Sequence, residues 1–159
     1  MLMGVLSDTH DRLDNIRKAM ELFNARGVDL VLHAGDVVSP FALDPLKALR
    51  APWQGVFGNN EGEIPYLLEK AQGRIQPAPL ELELEGQRIL VKHFHHYVEE
   101  LAKSAKYRLI IYGHTHRHRV EKVGPTWVLN PGEACGWLTG RATVALVEVP
   151  SLGIELVEL

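Results

Sequence analysis

The sequence predicts an α/β fold in which two packed sheets carry helices on their outer faces. Three observations indicate this fold. Strand, polar loop and helix alternate over the first third of the chain, which is typical of βαβ units and a parallel sheet. The second half instead favours short strands with little helix. The 159 residues, 46% apolar and 23% charged, are enough for one domain with a sizeable core, which we place at residues 1–159.

The first βα unit is predicted at residues 3–26. Residues 3–6 form a short apolar strand that ends at a polar loop, residues 7–10. Apolar side chains then recur at helical spacing, at Leu13, Ile16, Met20 and Phe23. Asp11 is the expected N-cap of this helix, and Gly27 is expected to end it.

Two further strands complete the predicted parallel sheet. Residues 28–32 form the second strand, which ends at residues 33–36. A short helix follows, with Pro40 and Pro45 near its start, and runs to about Leu49. Residues 53–57 form the third strand, which ends at residues 58–60.

The second half is expected to build the other sheet. Residues 80–84 alternate apolar and acidic side chains, and a turn at residues 86–87 leads into residues 88–91, so a hairpin with one wet face is predicted. Residues 98–107 form a helix, and residues 109–112 form a buried strand. Four short strands of meander type follow, at residues 120–123, 126–129, 143–149 and 154–157.

Composition excludes several classes of protein. No apolar run approaches the roughly 20 residues of a membrane helix, and residues 1–6 are too short for a signal peptide. The single cysteine, Cys135, excludes an intrachain disulfide framework and fits a cytoplasmic chain. A net charge of −3 argues against a stable nucleic-acid partner but not against a nucleotide-sized substrate. A homo-oligomer stays open.

Side chains that can bind metals follow five predicted strands. They are Asp8 and His10; Asp36; Asn59; His93; and His114 with His116. Each segment alone is a weak signal, since an Asp-x-His pair occurs by chance and a lone histidine is more often structural. The His-x-His pair after a buried strand is stronger, with metal binding and a surface role equally open. Strand ends of an α/β sheet are where sites form, which favours a shared role.

The seven side chains together indicate a two-metal site. Carboxylate, amide and imidazole ligands without a thiolate suit Mn²⁺, Fe, Zn²⁺ or Ni²⁺. Seven ligands are too many for one tetrahedral ion but suit two ions that share a bridging carboxylate. Such pairs of ions clamp the attacking and leaving oxygens of an in-line displacement. The sequence therefore predicts phosphoester hydrolysis.

The order of these motifs resembles the calcineurin-like metallophosphoesterase superfamily. Residues 7–10, together with residues 130–132, are similar to its small prokaryotic phosphodiesterase branch, which is related in fold to the retromer scaffold subunit. The resemblance covers residues 5 to about 149. It implies a four-layer α/β/β/α sandwich of two packed mixed sheets.

The resemblance also implies a role for each matched residue. One metal ion would be held by Asp8, His10 and His116, the other by Asn59, His93 and His114, with Asp36 bridging both. A metal-bridging hydroxide would attack phosphorus, and the Asn59 amide would help to stabilise charge on the phosphoryl oxygens. Manganese is the expected metal, and nickel, iron and zinc are the alternatives.

Two departures from the family pattern affect substrate contacts. The superfamily usually has a histidine where this chain has Asn60, so protonation of the leaving group needs another donor. Phe94 stands where glycine is frequent, and His93 is taken as the ligand by register. His95 becomes the candidate general acid and, with Asn60, a candidate substrate contact; the alternative for His95 is a solvated loop residue.

The predicted function is hydrolysis of small phosphodiesters, nucleotides among them. A phosphomonoesterase or protein phosphatase is one alternative, although the chain lacks long insertions that would build a peptide groove. A non-catalytic interaction scaffold of the same fold is the other. The presence of all seven ligand-type residues favours catalysis.

Overall fold

The computed structural model describes all residues, 1–159, as eleven strands and three α-helices. The strands are β1 (Leu2–Leu6), β2 (Leu30–His33), β3 (Trp53–Val56), β4 (Ile75–Gln76), β5 (Leu80–Leu84), β6 (Gln87–Val91), β7 (Leu109–Ile111), β8 (Arg119–Val123), β9 (Thr126–Asn130), β10 (Thr143–Glu148) and β11 (Ile154–Glu158). The helices are α1 (Leu13–Arg26), α2 (Ile64–Ala71) and α3 (Val98–Lys103). None of them has both the length and the apolar composition needed to cross a bilayer.

The strands form two mixed sheets that pack face to face. The six-stranded sheet has the order β11-β10-β1-β2-β3-β4, and the five-stranded sheet has the order β5-β6-β7-β9-β8. An apolar core between them includes Met3, Val5, Leu32, Ile89 and Leu109, all fully buried. Two further apolar clusters lie outside, one under α1 and α2 and one under α3. The predicted α/β/β/α sandwich is confirmed.

Side chains alternate between the two faces of β1, so this strand contributes to two apolar clusters. Met3 and Val5 face the inter-sheet core, whereas Leu6 belongs to the cluster under α1. Gly4 lies on the same outer face, directly beneath the ring of Phe23. A Cβ at Gly4 would lie 2.8 Å from that ring, so glycine allows α1 to approach the sheet.

We expect Gly4→Ala to destabilise the fold by about 1–3 kcal/mol, because the added methyl overpacks this contact. Urea unfolding measures the change. Gly153→Ala is the control, since Gly153 is exposed and its nearest neighbour is the flexible Glu148 side chain, at 3.4 Å. An unchanged unfolding midpoint for Gly4→Ala would contradict the close packing of α1.

The four C-terminal strands do not form one meander, so that prediction is wrong. β8 and β9 pair with each other in the five-stranded sheet, where β9 lies parallel to β7. β10 and β11 return to the other sheet, where β10 lies antiparallel to β1. Strand periodicity records which faces are buried but not which strand is the neighbour, so the local pattern could not separate these arrangements.

Several local expectations are also corrected. The helix predicted after β2 is a pair of 3₁₀ turns, Pro40–Leu43 and Pro45–Ala48, because the second proline cannot donate to a continuing helix. The third predicted helix ends at Lys103 instead of residue 107. Helix α2 and strand β4 were not predicted. Asp11 does not cap α1, since its carboxylate accepts hydrogen bonds from Ser39 N at 2.9 Å and Ser39 Oγ at 2.6 Å.

Candidate metal centre

The loops after five strands meet at one end of the two sheets. Those after β1, β2 and β3 come from the six-stranded sheet, and those after β6 and β7 come from the five-stranded sheet. This arrangement brings together all seven residues that the sequence singled out: Asp8, His10, Asp36, Asn59, His93, His114 and His116. Parallel strands place their carboxyl ends at one edge, which is why polar segments distant in sequence converge.

The backbone is unusual at most of these positions. Positive φ angles occur at Asp8 (53°), His10 (37°), Asp36 (62°), His114 (66°) and His116 (60°). Side chains other than glycine rarely adopt this region, and such residues cluster at functional sites. The surrounding fold therefore holds these loops in conformations that aim their side chains at one point.

Asp36 lies at the centre of the group. Its Oδ2 atom is 3.4 Å from His10 Nε2 and 3.4 Å from His93 Nε2. Its Oδ1 atom accepts hydrogen bonds from the backbone N–H groups of Asn59 (2.8 Å) and Asn60 (2.9 Å). Burial raises the pKa of Asp36, but hydrogen bonds from His93 and Asn60 outweigh burial and hold it well below its usual range. One charged carboxylate thus connects two groups of side chains that can donate lone pairs to a metal ion, the two donor sets of the site.

The first set surrounds Asp8. Ligand atoms of Asp8, His10, Asp36 and His116 lie within 4.8 Å of one another, and Asp8 Oδ1 is 3.5 Å from His116 Nε2. Asp8 is fully buried, and its Oδ2 accepts a hydrogen bond from Ser7 Oγ at 2.6 Å. His10 Nε2 is buried without a hydrogen-bond partner. Because an unpaired buried polar atom is costly, a divalent cation fits this set.

The second set surrounds Asn59. Its Oδ1 atom lies 2.9 Å from His93 Nε2 and 2.9 Å from His114 Nδ1. His93 Nδ1 is 2.8 Å from the carbonyl oxygen of Ala34, so the ring proton belongs on Nδ1 and Nε2 offers a lone pair. Nε2 of His93 therefore either takes a second proton and donates it to Asn59 Oδ1 or gives its lone pair to a metal ion. The donor chemistry here also fits a cation.

Close backbone approach explains the glycines in two of the motifs. A Cβ at Gly58 would lie 2.6 Å from the backbone nitrogen of Asp36, and a Cβ at Gly113 would lie 2.7 Å from Asp8 Oδ2. Only glycine lets the loops after β3 and β7 pack against these two carboxylates. In the pairs Gly58-Asn59 and Gly113-His114, the glycine therefore allows the close packing that positions the side chain after it.

Glu133 orients a site histidine, a more specific role than the pocket-shaping one expected for its loop, residues 133–137. Its carboxylate is fully buried and accepts hydrogen bonds from His116 Nδ1 at 2.7 Å, Thr139 Oγ1 at 2.7 Å and Leu138 N at 2.9 Å. Burial raises the pKa of Glu133, but the hydrogen bonds from His116 and Thr139 outweigh it and lower the pKa to about 2. The bond to Nδ1 directs the Nε2 lone pair of His116 towards Asp8. The signal was its place directly after the turn at residues 130–132.

We expect Glu133→Gln to weaken binding of Mn²⁺ by about 10- to 100-fold, because the amide cannot accept from all the donors that now surround the carboxylate. Isothermal titration calorimetry measures the affinity, and circular dichroism checks the fold. The exposed Glu148→Gln is the matched control. Wild-type affinity in a folded Glu133→Gln would show that this contact does not orient a ligand.

Glu61 is a second carboxylate whose role the sequence did not indicate. It accepts hydrogen bonds from the backbone N–H groups of Asp36 (2.8 Å), Val37 (3.2 Å) and Gly58 (2.9 Å). It thereby joins the loop after β2 to the loop after β3. Acidic residues in a loop are usually solvated, so only the fold reveals this contact.

The two predicted substrate contacts lie at the rim. Asn60 Nδ2 donates to Asp36 Oδ2 at 2.8 Å, and the Asn60 side chain is exposed. His95 is also exposed, and its ring stacks on His114 with centroids 5.6 Å apart and planes at 9°. Both therefore lie beside the donor sets, and their roles stay predictions.

Two neighbouring groups are structural in this arrangement. Burial lowers the pKa of His33 to about 4, and its Nδ1 accepts a hydrogen bond from Gly35 N at 3.1 Å, so the imidazole is neutral. Burial raises the pKa of the Cys135 thiol to about 12, and its Sγ donates to Glu133 at 3.1 Å. The thiol form is a poor metal ligand, although Sγ lies within 4.8 Å of His10 and His116 ligand atoms.

The chain is similar to archaeal phosphoesterases over nearly its whole length. A phosphodiesterase of Methanocaldococcus jannaschii is 39% identical over 154 residues, which cover 93% of each chain. A probable metallophosphoesterase of Methanothermobacter thermautotrophicus is 35% identical over 142 residues, or 83% of this chain and 76% of the relative. The solved structure of an archaeal phosphodiesterase superposes with a TM-score of 0.92 at 37% identity, covering 100% of both chains.

A more distant structure shares the fold. Vps29 of Entamoeba histolytica, solved with Zn²⁺, superposes with a TM-score of 0.69 at 20% identity and 99% coverage of both chains. The domain model described as the calcineurin-like phosphoesterase superfamily domain matches residues 1–151. The chain therefore belongs to the calcineurin-like phosphoesterase superfamily.

Proposed function

We propose that the protein is a two-metal phosphodiesterase that hydrolyses small phosphodiesters, nucleotides among them. The observation that carries this proposal is the position of Asp36 Oδ2, 3.4 Å from a ring nitrogen in each of two donor sets. The relatives named as phosphodiesterases support the reaction class. A carboxylate shared by two cations is the arrangement that an in-line displacement at phosphorus uses.

Each donor set is assigned one divalent cation. Asp36 serves both ions, and the remaining ligands are Asp8, His10 and His116 for one and Asn59, His93 and His114 for the other. Manganese is our expected metal, with nickel, iron and zinc as alternatives that the same ligands accommodate. When bound, two such cations lower the pKa of water and stabilise negative charge on phosphoryl oxygens.

The asparagines orient the substrate. With Asn59 Oδ1 directed at the two imidazoles, its Nδ2 group is left to donate to a phosphoryl oxygen. Asn60 now donates to Asp36 Oδ2, an atom whose lone pairs two cations would share. We therefore expect the Asn60 amide to turn towards the substrate when the site is loaded.

Proton donation to the leaving group is assigned to His95. Asn60 stands at the position where the superfamily usually has a histidine, and an amide has no proton to transfer near neutral pH. The exposed imidazole of His95 stacks on His114 and so lies beside the second donor set. A histidine N–H in this place can protonate a departing alkoxide.

We expect His95→Ala to lower kcat by about 10²-fold on a diester with an alkyl leaving group, the usual contribution of a general acid. On bis(4-nitrophenyl) phosphate the loss should be small, because 4-nitrophenolate leaves without protonation. Steady-state kinetics on the two substrates measures the contrast, and His96→Ala is the matched control in the same loop. Equal losses on both substrates would assign His95 to binding instead.

The function itself is tested on a pair of aryl phosphates. Protein stripped with a chelator and reloaded with Mn²⁺, Ni²⁺, Fe²⁺ or Zn²⁺ is assayed with bis(4-nitrophenyl) phosphate and with 4-nitrophenyl phosphate. We expect turnover only with metal and a higher kcat/KM for the diester. Faster monoester hydrolysis would make the protein a phosphomonoesterase. Metal binding without any turnover would favour a scaffold that keeps the fold.

A further inference from the structure

A polar cleft opens beside the first donor set. It has a volume of about 230 Å³ and six lining residues, none of them hydrophobic or acidic: His116, Arg117, His118, Thr139, Arg141 and Thr143. Because His116 lines this cleft and also belongs to the donor set around Asp8, the cleft adjoins the metal centre. A molecule bound at the centre can therefore extend into the cleft.

The donors left free in the cleft are cationic. The exposed Arg117 side chain has no carboxylate within ion-pair distance. The Thr115 hydroxyl donates a hydrogen bond to the backbone carbonyl of Arg117, which leaves the guanidinium free. Arg141 donates through Nε (3.1 Å) and Nη2 (2.9 Å) to a single oxygen of Glu158, which leaves its Nη1 group free. A guanidinium fork is suited to phosphate oxygens.

The two hydroxyl groups of the cleft already donate their hydrogens to protein oxygens. Thr139 Oγ1 donates to Glu133 Oε1 at 2.7 Å, and Thr143 Oγ1 donates to the carbonyl of Pro131 at 2.6 Å. Two arginines and an exposed histidine, in a protein of net charge −3, mark a local site for an anion. The charge of Arg117 is thus available to a ligand, whereas Arg141 is paired with Glu158 and offers only its free Nη1 group.

The size of the cleft limits what it can hold. Pockets for drug-sized molecules span about 300–1,000 Å³, so about 230 Å³ suits a phosphate group better than a nucleoside. We propose that this cleft binds a second phosphate of the substrate. The preferred substrate class is then a short linear oligonucleotide that carries a terminal phosphate in addition to the diester that is cleaved. This inference rests on the proposed function and specifies its substrate.

The test uses the dinucleotides ApA and pApA, which differ only in the 5′-terminal phosphate. We expect the Mn²⁺-loaded protein to prefer pApA by about tenfold in kcat/KM, the value of one or two charge-assisted hydrogen bonds. In Arg117→Ala the ratio should fall to within about twofold, and Arg117→Lys should keep part of the preference because the charge remains without the fork. Arg88→Ala is the control and should keep the full ratio of kcat/KM values. Arg88 is an exposed arginine on β6 that pairs with Glu81.

Two results would overturn the second-phosphate site. One is equal kcat/KM for ApA and pApA in the wild type, and the other is a preference for pApA that survives both Arg117→Ala and Arg141→Ala. Loss of turnover on every diester is a different result, since it removes the proposed function. In that event, equilibrium binding of the two dinucleotides to the Mn²⁺-loaded protein decides: tighter binding of pApA that is lost in Arg117→Ala supports the cleft, and equal affinity rejects it.

Discussion

Asp36→Asn is expected to lower kcat on bis(4-nitrophenyl) phosphate by about 10³-fold or more, the scale of several kcal/mol of lost charge stabilisation. Asparagine suits the left-handed backbone at this position, where φ is 62°. Its Oδ1 atom can still accept from the backbone N–H groups of Asn59 and Asn60, so the loop should keep its shape. The Nδ2 group, however, places a donor at the point between His10 and His93 where two cations would share an anion.

Kinetics, elemental analysis and circular dichroism together measure this effect. The variant should stay folded and bind fewer than two metal ions per chain. Asp44→Asn is the matched control, because Asp44 is an exposed carboxylate that pairs only with Lys47 and Lys70. A folded Asp36→Asn with wild-type activity would remove the shared carboxylate from the mechanism.

Metal loading is expected to stabilise the protein strongly. At a metal concentration of 100 times Kd, each occupied site contributes about 2.7 kcal/mol to the free energy of unfolding. For a chain of this size, this raises Tm by about 5–10 °C per site. The physical reason lies in the site itself, where His10 Nε2 has no partner and Asn59 Oδ1 faces two imidazole nitrogens. A cation gives His10 Nε2 a partner and replaces the hydrogen bonds of Asn59 Oδ1 with ligand bonds.

Differential scanning calorimetry with and without a chelator measures the shift, and elemental analysis gives the stoichiometry. Two metal ions per chain are expected for the wild type and for the control His96→Ala, and fewer for His114→Ala. One metal ion per wild-type chain would leave the cluster of Asn59, His93 and His114 without a metal ion to bind. An unchanged Tm on loading would contradict the fit of both donor sets.

The fold class, and the placement of the candidate ligands directly after strands, were predictable from the sequence. Each predicted ligand follows an apolar strand within a few residues, and strand, loop and helix alternate in the first half. Parallel strands bring their carboxyl ends to one edge, so the local order of Asp8, Asp36 and Asn59 already indicates that they meet. Local pattern and chain direction were sufficient for this because they do not depend on which surfaces pack together.

Contacts between distant segments were decided by the tertiary structure alone. The division of the last four strands between two sheets depends on β10 finding β1 and β9 finding β7, which periodicity does not encode. The contacts of Glu133 with His116 and of Glu61 with Asp36 join separate loops. In the sequence Glu61 is indistinguishable from a solvated acidic residue, and only its place after the turn at residues 130–132 sets Glu133 apart. Their burial among donors exists only once the sheets have packed, and that packing fixes the direction in which the ligand atoms point.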